Sequence, residues 1–400
     1  MSKLKQLIQE LCPNGVEYQP IWQLTAWDKK FNAVDKNKQK DIRKYTYFLA
    51  ADLKSFESVD GDVKILTTSV TDLWANEEDV KENVSEGEIV CIPWGGNPIV
   101  QYYKGKFITG DNRIATSIDT AILDNKYLYY CLQNKLEDIS SFYRGSGIKH
   151  PDMSKVLDLM VPIPPIEVQR EIVRILDNFT ELTAELTAEF TARKQQYEYY
   201  TYQLLNFDGE VKTCQLKDLI DFRNGKGHEK DIVENGKYIV VNSKFISTNG
   251  EVKKYSNQQI CPLFVDDILM VMSDLPNGRA LAKCYLVTED NKYTLNQRIG
   301  AFHVRDKAVI NTKFLQYVLN RNQQLLKYDN GVDQTNLRKD DILNISIPVP
   351  SLEEQRRIVD ILDRFDALCN DLTCGLPAEI EARQKQYEYY RDQLLTFKEV

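Results

Sequence analysis

PPIEVQREIVRILDNF (164–179) and PSLEEQRRIVDILDRF (350–365) are two versions of one sequence within this chain, identical at ten of sixteen positions. A second pair lies further on, where ARKQQYEYYTYQLLNF (192–207) matches ARQKQYEYYRDQLLTF (382–397). The offset is 186 residues for the first pair and 190 for the second, so the second copy holds four extra residues between its blocks. Because a chain of 400 residues exceeds the usual size of one domain, we expect two related halves.

Each repeated segment has the apolar spacing of a long helix with a coiled-coil seam. The predicted seam comprises Ile172, Ile175, Phe179, Leu182, Leu186, Phe190, Tyr197, Tyr200 and Leu204 in the first helix, and Ile358, Ile361, Phe365, Leu368, Leu372, Tyr387, Tyr390 and Leu394 in the second. The four extra residues form a stutter, and Gly375-Leu376-Pro377 should break or kink the second helix because proline lacks the amide donor. Helices of about forty residues are about 60 Å long. We expect the two to pair antiparallel, although a coiled coil that only dimerises also fits the helices alone.

Within the first predicted helix, ELTAELTAEFTA (181–192) repeats one tetrapeptide three times. Each copy lengthens a helix by about 6 Å. The repeat therefore has the character of an adjustable spacer.

The intervals between the helices repeat more faintly. EGEIVCIPWGGNPIVQYYKGKFITGDN (86–112) parallels VDDILMVMSDLPNGRALAKCYLVTEDN (265–291), KYLYYCLQN (126–134) parallels KFLQYVLN (313–320), and GSGIKHPDMSKVLDLMVPIP (145–164) parallels NGVDQTNLRKDDILNISIPVP (330–350). Strand-like runs at 88–92, 238–241 and 268–272 alternate with Gly, Asn and Pro turns, and helical stretches lie near 125–138 and 312–327.

These patterns predict an α+β fold with a pseudo-twofold internal repeat. Two mixed α/β domains, 1–163 and 208–349, are separated by two long antiparallel coiled-coil helices, 164–207 and 350–400.

The net charge of −8 argues at first against a nucleic-acid partner. The excess acid is local, however, because residues 166–207 carry seven acidic and four basic side chains and residues 352–397 carry ten and six. The remainder is close to neutral and is free to form basic patches.

The eight cysteines are scattered without a CxxC pair, and only three histidines are present to join them as metal ligands. We therefore expect reduced thiols, Cys374 among them, and neither a zinc site nor a disulfide framework. The sequence has no apolar run of eighteen residues and no apolar leader at its start, so we expect a cytoplasmic protein.

The paired helices, beginning IPPIEVQREIVRILD (163–177) and ending ARQKQYEYYRDQLLTF (382–397), resemble the two conserved regions of Type I restriction-modification specificity subunits. The opening LIQELCPNGVEY (7–18) and the tetrapeptide repeat are also similar to that family. The resemblance extends over essentially the whole chain, but the intervening domains vary in such families and are not matched residue by residue.

The resemblance implies that 1–163 and 208–349 are target recognition domains, each reading half of an interrupted, asymmetric site in double-stranded DNA. The helices would space these domains and dock two modification subunits that methylate adenine from S-adenosylmethionine. Restriction subunits using ATP and Mg²⁺ would join the complex. The cofactors would then belong to the partners, and this chain would hold none and would not be an enzyme.

Missing motifs support a non-catalytic chain. The one Pro-Pro pair, Pro164-Pro165, lacks the flanking residues of an amino-methyltransferase loop, and no phosphate-binding GxxxxGK[ST] is present. The alternatives are a coiled-coil scaffold without DNA function, or a stand-alone DNA methyltransferase or nuclease.

Sequence readout requires donors and acceptors at base edges, and phosphate contacts require Lys, Arg or backbone amides. We therefore expect DNA contacts from loops that combine basic, amide and hydroxyl side chains, although each loop could equally be a surface turn. The candidates are Arg144, Ser146, Lys149 and His150 in the first domain, and Arg223, Lys226, His228, Asn242, Lys244, Gln297, Arg298, Gln334, Asn336, Arg338 and Lys339 in the second. A basic run at 29–44 is a further candidate, with a solvated surface as its alternative.

The tyrosine-rich helix ends cover more than one helix face. One stripe can fill the seam, so the other side chains need another partner. We expect Tyr197, Tyr199, Tyr200, Tyr387, Tyr389 and Tyr390 to serve the spacer and to bind the modification subunits.

Overall fold

The computed structural model describes residues 3–207, 209, 211–228, 230–276, 278–370 and 375–400. It divides into two compact units: unit 1 contains Met1–Thr187 and Glu379–Val400, and unit 2 contains Ala188–Ala378. The predictions for Leu372 in the seam and for Cys374 as a free thiol lie outside the described residues. The fold is α+β, as the sequence predicts.

The two predicted long helices are present, the second of them in two parts. The helices are α1 (Lys3–Leu11), α2 (Ile21–Leu24), α3 (Ala50–Ser55), α4 (Glu77–Val80), α5 (Asn125–Asn134), α6 (Leu136–Ser141), α7 (Met153–Leu157), α8 (Ile166–Leu205), α9 (Leu216–Leu219), α10 (Ser243–Ser247), α11 (Thr312–Leu319), α12 (Gln323–Leu326), α13 (Lys339–Leu343), α14 (Leu352–Asn370) and α15 (Leu376–Leu394). The predicted break falls at the start of α15, where Pro377 occupies the first turn and its missing amide donor removes no helical hydrogen bond. None of the helices in the described ranges has the length and apolar content that a membrane span requires.

Unit 1 is built on a six-stranded sheet. Its strands are β1 (Tyr18–Pro20), β2 (Thr25–Trp27), β3 (Val63–Leu66), β4 (Leu73–Ala75), β5 (Ser85–Pro93), β6 (Gln101–Thr109), β7 (Asn112–Ser117), β8 (Tyr143–Arg144), β9 (His150–Pro151) and β10 (Met160–Pro162). The main sheet has the order β2-β7-β5-β6-β3-β4, and β1-β10 and β8-β9 form separate pairs. Because side chains alternate along a strand, β5 buries Val90 and Ile92 in the core shared with α5 and buries Ile89 and Cys91 in a second core.

Unit 2 contains two four-stranded sheets. Its strands are β11 (Thr213–Gln215), β12 (Ile220–Asn224), β13 (Ile232–Val233), β14 (Tyr238–Val241), β15 (Tyr255–Ser256), β16 (Ile268–Val271), β17 (Ser273–Asp274), β18 (Cys284–Leu286), β19 (Tyr293–Leu295), β20 (Ile299–Val304), β21 (Thr335–Asn336) and β22 (Ser346–Pro348). The sheets have the orders β12-β20-β16-β18 and β13-β15-β14-β19, and β11-β22 and β17-β21 form pairs. Strand β16 resembles β5, since Ile268 and Met270 enter one core while Leu269 and Val271 enter another.

Equivalent caps start the helix that packs on the long helix in each unit. The Asp124 carboxylate accepts hydrogen bonds from the amides of Lys126 and Tyr127 at the start of α5, at 2.8 and 2.9 Å. The Asn311 side chain accepts from the second and third residues of α11 in the same way, at 2.9 and 3.0 Å. Side-chain oxygens at this position satisfy amides that have no partner within the helix.

A buried glutamine joins the first turn of each long helix to that cap. Gln169 is fully buried on α8; its Oε1 accepts from the Asp124 amide at 2.9 Å, and its Nε2 donates to the carbonyls of Ile122 and Pro164 at 2.7 and 2.8 Å.

Unit 2 repeats this arrangement atom for atom. Gln355, also fully buried, accepts from the Asn311 amide at 2.7 Å and donates to the carbonyls of Val309 and Pro350 at 3.1 and 2.9 Å. The glutamine in the repeated sequence therefore joins each domain to the helix that follows it through three hydrogen bonds.

Two turns further along, an aspartate makes a second attachment. Asp177 accepts from the Lys126 ammonium at 2.7 Å and from the Tyr130 hydroxyl at 2.6 Å. In unit 2, Asp363 accepts from Lys313 and Tyr317 at the same two distances. Burial and then the hydrogen bond to the carboxylate raise the pKa of each tyrosine, so its hydroxyl stays protonated and donates.

Aromatic stacking joins the long helices within each unit. In unit 1, Phe179 of α8 stacks on Tyr390 of α15 with ring centroids 5.4 Å apart. In unit 2, Phe365 of α14 stacks on Tyr200 of α8 at 5.6 Å and on Tyr197 at 6.3 Å. The early part of α8 thus meets the end of α15, and its late part meets α14, which is the order of contacts that antiparallel helices make.

Two leucines of the predicted apolar seam are exposed. Leu182 and Leu368 are 47% and 37% exposed. These two leucines are therefore not packed as buried heptad residues. The contact between the long helices is made by the stacked rings at Phe179 and Phe365.

Replacing Gln169 with leucine should weaken the attachment of α8 in unit 1. The substitution leaves one amide and two carbonyls without a partner in a buried position, which costs about 2–4 kcal/mol. Hydrogen exchange measured by mass spectrometry should show faster exchange across α5, with α11 unchanged.

Gln355→Leu is the mirror test, in which α11 loses protection and α5 keeps it. Gln203→Leu, at an exposed position on α8, serves as the control and should change neither. Equal loss of protection in both units from either buried variant would contradict the local role of the glutamines.

Candidate nucleic-acid interface

The predicted loop of the first domain is an exposed hairpin in unit 1. Strands β8 and β9 pair Arg144 with His150, and Arg144, Ser146, Lys149 and His150 are all exposed. Gly145 has φ +144°, and a Cβ there would lie 2.6 Å from the Ile148 carbonyl oxygen, so the turn requires glycine. The four candidate residues of this domain therefore lie on one small, tightly shaped turn, which we call the unit 1 hairpin (residues 143–151).

The hairpin rests on a second turn, Trp94-Gly95-Gly96-Asn97, which is not among the predicted interface residues. The Gly96 amide donates to the Lys149 carbonyl at 3.1 Å, and His150 Nδ1 donates to the Trp94 carbonyl at 2.7 Å. A Cβ on Gly95 would lie 2.8 Å from Ile148. The two neighbouring glycines were the available signal, since they mark a place where another backbone approaches closely.

A buried ion pair supports the aromatic base of this hairpin. The Trp94 ring lies 5.2 Å from the His150 ring and 4.6 Å from the Arg113 guanidinium. Arg113 and Asp28 are both buried and pair at 3.1 Å, and the Tyr47 hydroxyl donates to the same carboxylate at 2.6 Å. Several hydrogen bonds hold this buried ion pair in place. The Trp94 ring, and through it the His150 ring, therefore packs against a guanidinium of fixed position.

One residue of the basic run 29–44 lies close to the base of the unit 1 hairpin. The Lys29 ammonium lies 5.7 Å from the centre of the Trp94 ring. Lys38, by contrast, pairs with Asp158 at 2.6 Å.

The predicted loop of the second domain lies along β17. Strand β21 pairs with β17, the Gln334 side chain donates through Nε2 to Ser273 Oγ at 2.8 Å, and the Leu337 backbone amide donates to the Met272 carbonyl at 2.8 Å. The predicted residues on this loop, Gln334, Asn336, Arg338 and Lys339, are all exposed.

A neighbouring turn brings further predicted residues to the same surface. The Met272 amide donates to the Arg298 carbonyl at 3.0 Å, and the Lys226 amide donates to the Leu295 carbonyl at 3.1 Å. Gly225 allows this approach, because a Cβ there would lie 1.9 Å from the Asn296 carbonyl oxygen. The exposed residues joined in this way, which we call the unit 2 loop cluster, are Lys226, Gln297, Arg298, Gln334, Asn336, Arg338 and Lys339.

His228 does not belong to this cluster. It is fully buried, and its ring nitrogens are 2.7 Å from the Lys226 carbonyl and 2.9 Å from the Thr294 hydroxyl. The prediction that His228 contacts DNA is therefore wrong in this structure, because no surface of the ring is available.

Asn242 and Arg223 have structural partners. The Asn242 side chain caps α10 by accepting from the Phe245 amide at 2.9 Å. The Arg223 guanidinium pairs with the buried Asp267 and donates to the Pro262 carbonyl at 3.0 Å. Lys244 is exposed on α10.

The helix tyrosines divide into two groups. Tyr197 and Tyr387 are partly buried against the cores of their own units. Tyr199, Tyr202 and Tyr389 are 60%, 63% and 61% exposed. Tyr200 and Tyr390 stack on phenylalanines and are 42% and 40% exposed.

Metal and thiol chemistry is not organised in the described part of the chain. No group of three or more His, Cys, Asp or Glu residues there is arranged to hold a metal ion. The seven described cysteines are free thiols.

Known proteins with similar sequences share one description. The family described as Type I restriction modification DNA specificity domain matches residues 34–193 and 208–382. The Type I restriction enzyme EcoR124I/EcoR124II specificity subunit of Escherichia coli is 34% identical over 310 residues, which cover 71% of this chain and 74% of that protein. A putative type I restriction enzyme specificity subunit of Haemophilus influenzae is 32% identical over 336 residues, covering 78% and 83%.

Solved structures show the same fold at low sequence identity. The match to the S subunit of a Type I restriction-modification system from M. genitalium covers 96% of this chain and 97% of that subunit, with a TM-score of 0.61 and 17% identity. A chain from a structure of the type I R-M system covers 96% and 98%, with a TM-score of 0.54 and 14% identity.

Substituting Lys149 with alanine should weaken binding to duplex DNA of any sequence. A lysine that neutralises a phosphate releases a counterion, so its loss should reduce the slope of log affinity against log salt concentration by about 0.9. Fluorescence anisotropy titrations at several salt concentrations measure this slope. Lys54→Ala, an exposed lysine on α3, is the matched control, and a slope change of the same size in both variants would remove the hairpin from the interface.

Proposed function

Since this chain belongs to the Type I restriction modification DNA specificity family, we propose that it selects the double-stranded DNA sequence on which a modification and restriction complex acts. It contributes recognition and carries out no bond-making or bond-breaking step. The observation that carries the proposal is the repeated fold with a different exposed loop cluster in each unit.

The two clusters differ in chemistry. The unit 1 hairpin offers a histidine packed against tryptophan, a hydroxyl and two basic side chains, whereas the unit 2 loop cluster combines three amide side chains with arginine and lysine. Arginine suits guanine and amides suit adenine at major-groove edges. Two dissimilar readers on one chain recognise two dissimilar half-sites, so the target is bipartite and asymmetric, unlike the palindrome that a homodimer requires.

We divide the chain by role into recognition domains 1–163 and 208–349 and spacer helices 164–207 and 350–400. The attachments of Gln169 and Gln355 support this division, because they fix each domain at the start of the helix that follows it. The helices keep the two readers a set number of base pairs apart.

The exposed tyrosines support a protein-docking role for the same helices. Tyr199, Tyr202 and Tyr389 present aromatic surface to solvent, and such residues are enriched at protein interfaces. We assign them to two modification subunits, which supply S-adenosylmethionine and methylate adenine. Restriction subunits with ATP and Mg²⁺ complete the complex in the cytoplasm.

Exchanging 208–349 for the equivalent domain of an unrelated family member should change one half-site and leave the other intact. Each loop cluster is built within its own unit, so the remaining reader keeps its geometry. The methylated sequence, mapped in cells that also express the modification subunit, gives the result. Simultaneous change of both half-sites would contradict modular recognition.

Deleting one Glu-Leu-Thr-Ala copy from 181–192 should shorten the gap between otherwise unchanged half-sites. The deletion removes about 6 Å of helix, which corresponds to one or two base pairs at the 3.4 Å spacing along a strand. Most side chains of this segment are exposed, so little core packing is lost. A deletion variant that methylates with the original gap would show that helix length does not set the spacing.

A further inference from the structure

A positively charged cleft in unit 2 has no role in the recognition described above. Its volume is about 640 Å³, and its walls are α8, the end of α14, the edge strand β18 with the loop before it, and α11. The cations along it are Lys194, Arg279, Lys283, Lys313 and Arg321, and the carboxylates are Glu198 and Asp366. Five cations against two carboxylates give this cleft a positive charge, although the protein as a whole is acidic.

Four of these five cations form no ion pair with another described residue. Lys313 pairs with Asp363 at 2.7 Å, but no ion pair to another described residue involves Lys194, Arg279, Lys283 or Arg321. Lys283 donates to the Ser247 carbonyl at 2.9 Å and Arg321 to the Leu281 carbonyl at 3.1 Å, both neutral acceptors. Burial lowers the pKa of Lys283, because it partly removes the ammonium charge from water; the Asp366 carboxylate opposes this shift and the Arg321 guanidinium adds to it.

The equivalent place in unit 1 shows that the fold does not need this charge. A cleft of about 430 Å³ lies beside Lys126, Tyr130 and Asp177, which correspond to Lys313, Tyr317 and Asp363. Its lysine is paired with Asp177, and Glu181 adds a second carboxylate. The lining of the unit 1 cleft therefore lacks the unpaired cations found in the unit 2 cleft, although the attachment of helix to domain is the same.

The size and lining of the cleft restrict its occupant. A volume of 640 Å³ suits a short segment of chain, and it is too small for duplex DNA, whose major groove alone is about 12 Å wide. Amide side chains at Asn249, Gln316 and Asn320 line the cleft among the cations and match the donors and acceptors of a peptide backbone. Glu198 continues directly into the exposed Tyr199 of α8, the surface assigned above to protein docking.

We propose that the unit 2 cleft binds an acidic peptide segment of a protein partner, with Lys194, Arg279, Lys283 and Arg321 pairing its carboxylates. The choice of a protein as occupant rests on the docking role proposed for the long helices. Because the described lining of the unit 1 cleft lacks unpaired cations, the segment binds at one of the two equivalent places, which makes the two halves of the molecule unequal toward protein partners.

A fluorescein-labelled octaglutamate peptide tests the proposal on the full chain. Anisotropy should show binding that weakens about tenfold in Lys194→Glu/Arg279→Glu, since two exposed favourable charges become repulsive. Lys253→Glu/Lys254→Glu changes the same charge on exposed residues outside the cleft and should keep the wild-type affinity.

Four results would overturn the inference. They are equal weakening in the two double variants, absence of wild-type binding at about 1 mM peptide, an undiminished affinity in the cleft variant, and binding of labelled oligothymidine in place of the peptide. Lys194→Gln/Arg279→Gln, expected to show a smaller loss, guards against misfolding caused by charge reversal, and an unchanged affinity for duplex DNA verifies the fold. A wild-type complex that methylates without regard to sequence would refute the proposed function while leaving the peptide result unaffected.

Discussion

One buried glutamine in each half of the chain ties a domain to the long helix that follows it. Gln169 and Gln355 each bridge a helix cap, a preceding loop carbonyl and the first turn of the long helix. Asp177 and Asp363 repeat the attachment two turns later. With two separate points of fixation, a domain cannot swing about the helix without leaving buried polar groups unpaired. Each loop cluster is therefore held in place relative to a long helix, and not by a flexible linker.

The duplication was visible in the sequence because its chemistry is local. Apolar spacing predicted α8, and the proline predicted the break before α15. The repeated blocks also include the stacked rings. Phe179 and Phe365 occupy equivalent positions in the two copies, as do Tyr390 and Tyr200, so each unit forms the same Phe–Tyr pair. The role of Gln169 could not be read in advance, because its partners lie about fifty residues earlier and only the fold brings them together.

The candidate site was only partly predictable for a related reason. Residue type identified loops rich in amides and bases, and most of these are exposed on two surfaces. Type alone cannot separate a contact residue from a structural one, however. His228 is buried against Thr294, and the Asn242 side chain caps a helix. The Gly95-Gly96 turn could not be recognised from residue type, because it contributes space for the hairpin backbone and no side chain.

The overall charge of −8 did not indicate these sites either, because cations are concentrated locally at the loop clusters and in the unit 2 cleft.

Long-read methylation mapping in a host that expresses this chain with its modification subunit tests the central claim most directly. Two dissimilar readers on one chain predict a single gapped, non-palindromic motif, methylated at adenine in both half-sites and absent when this chain is omitted. A palindromic or ungapped motif, or methylation that persists without this chain, would contradict it.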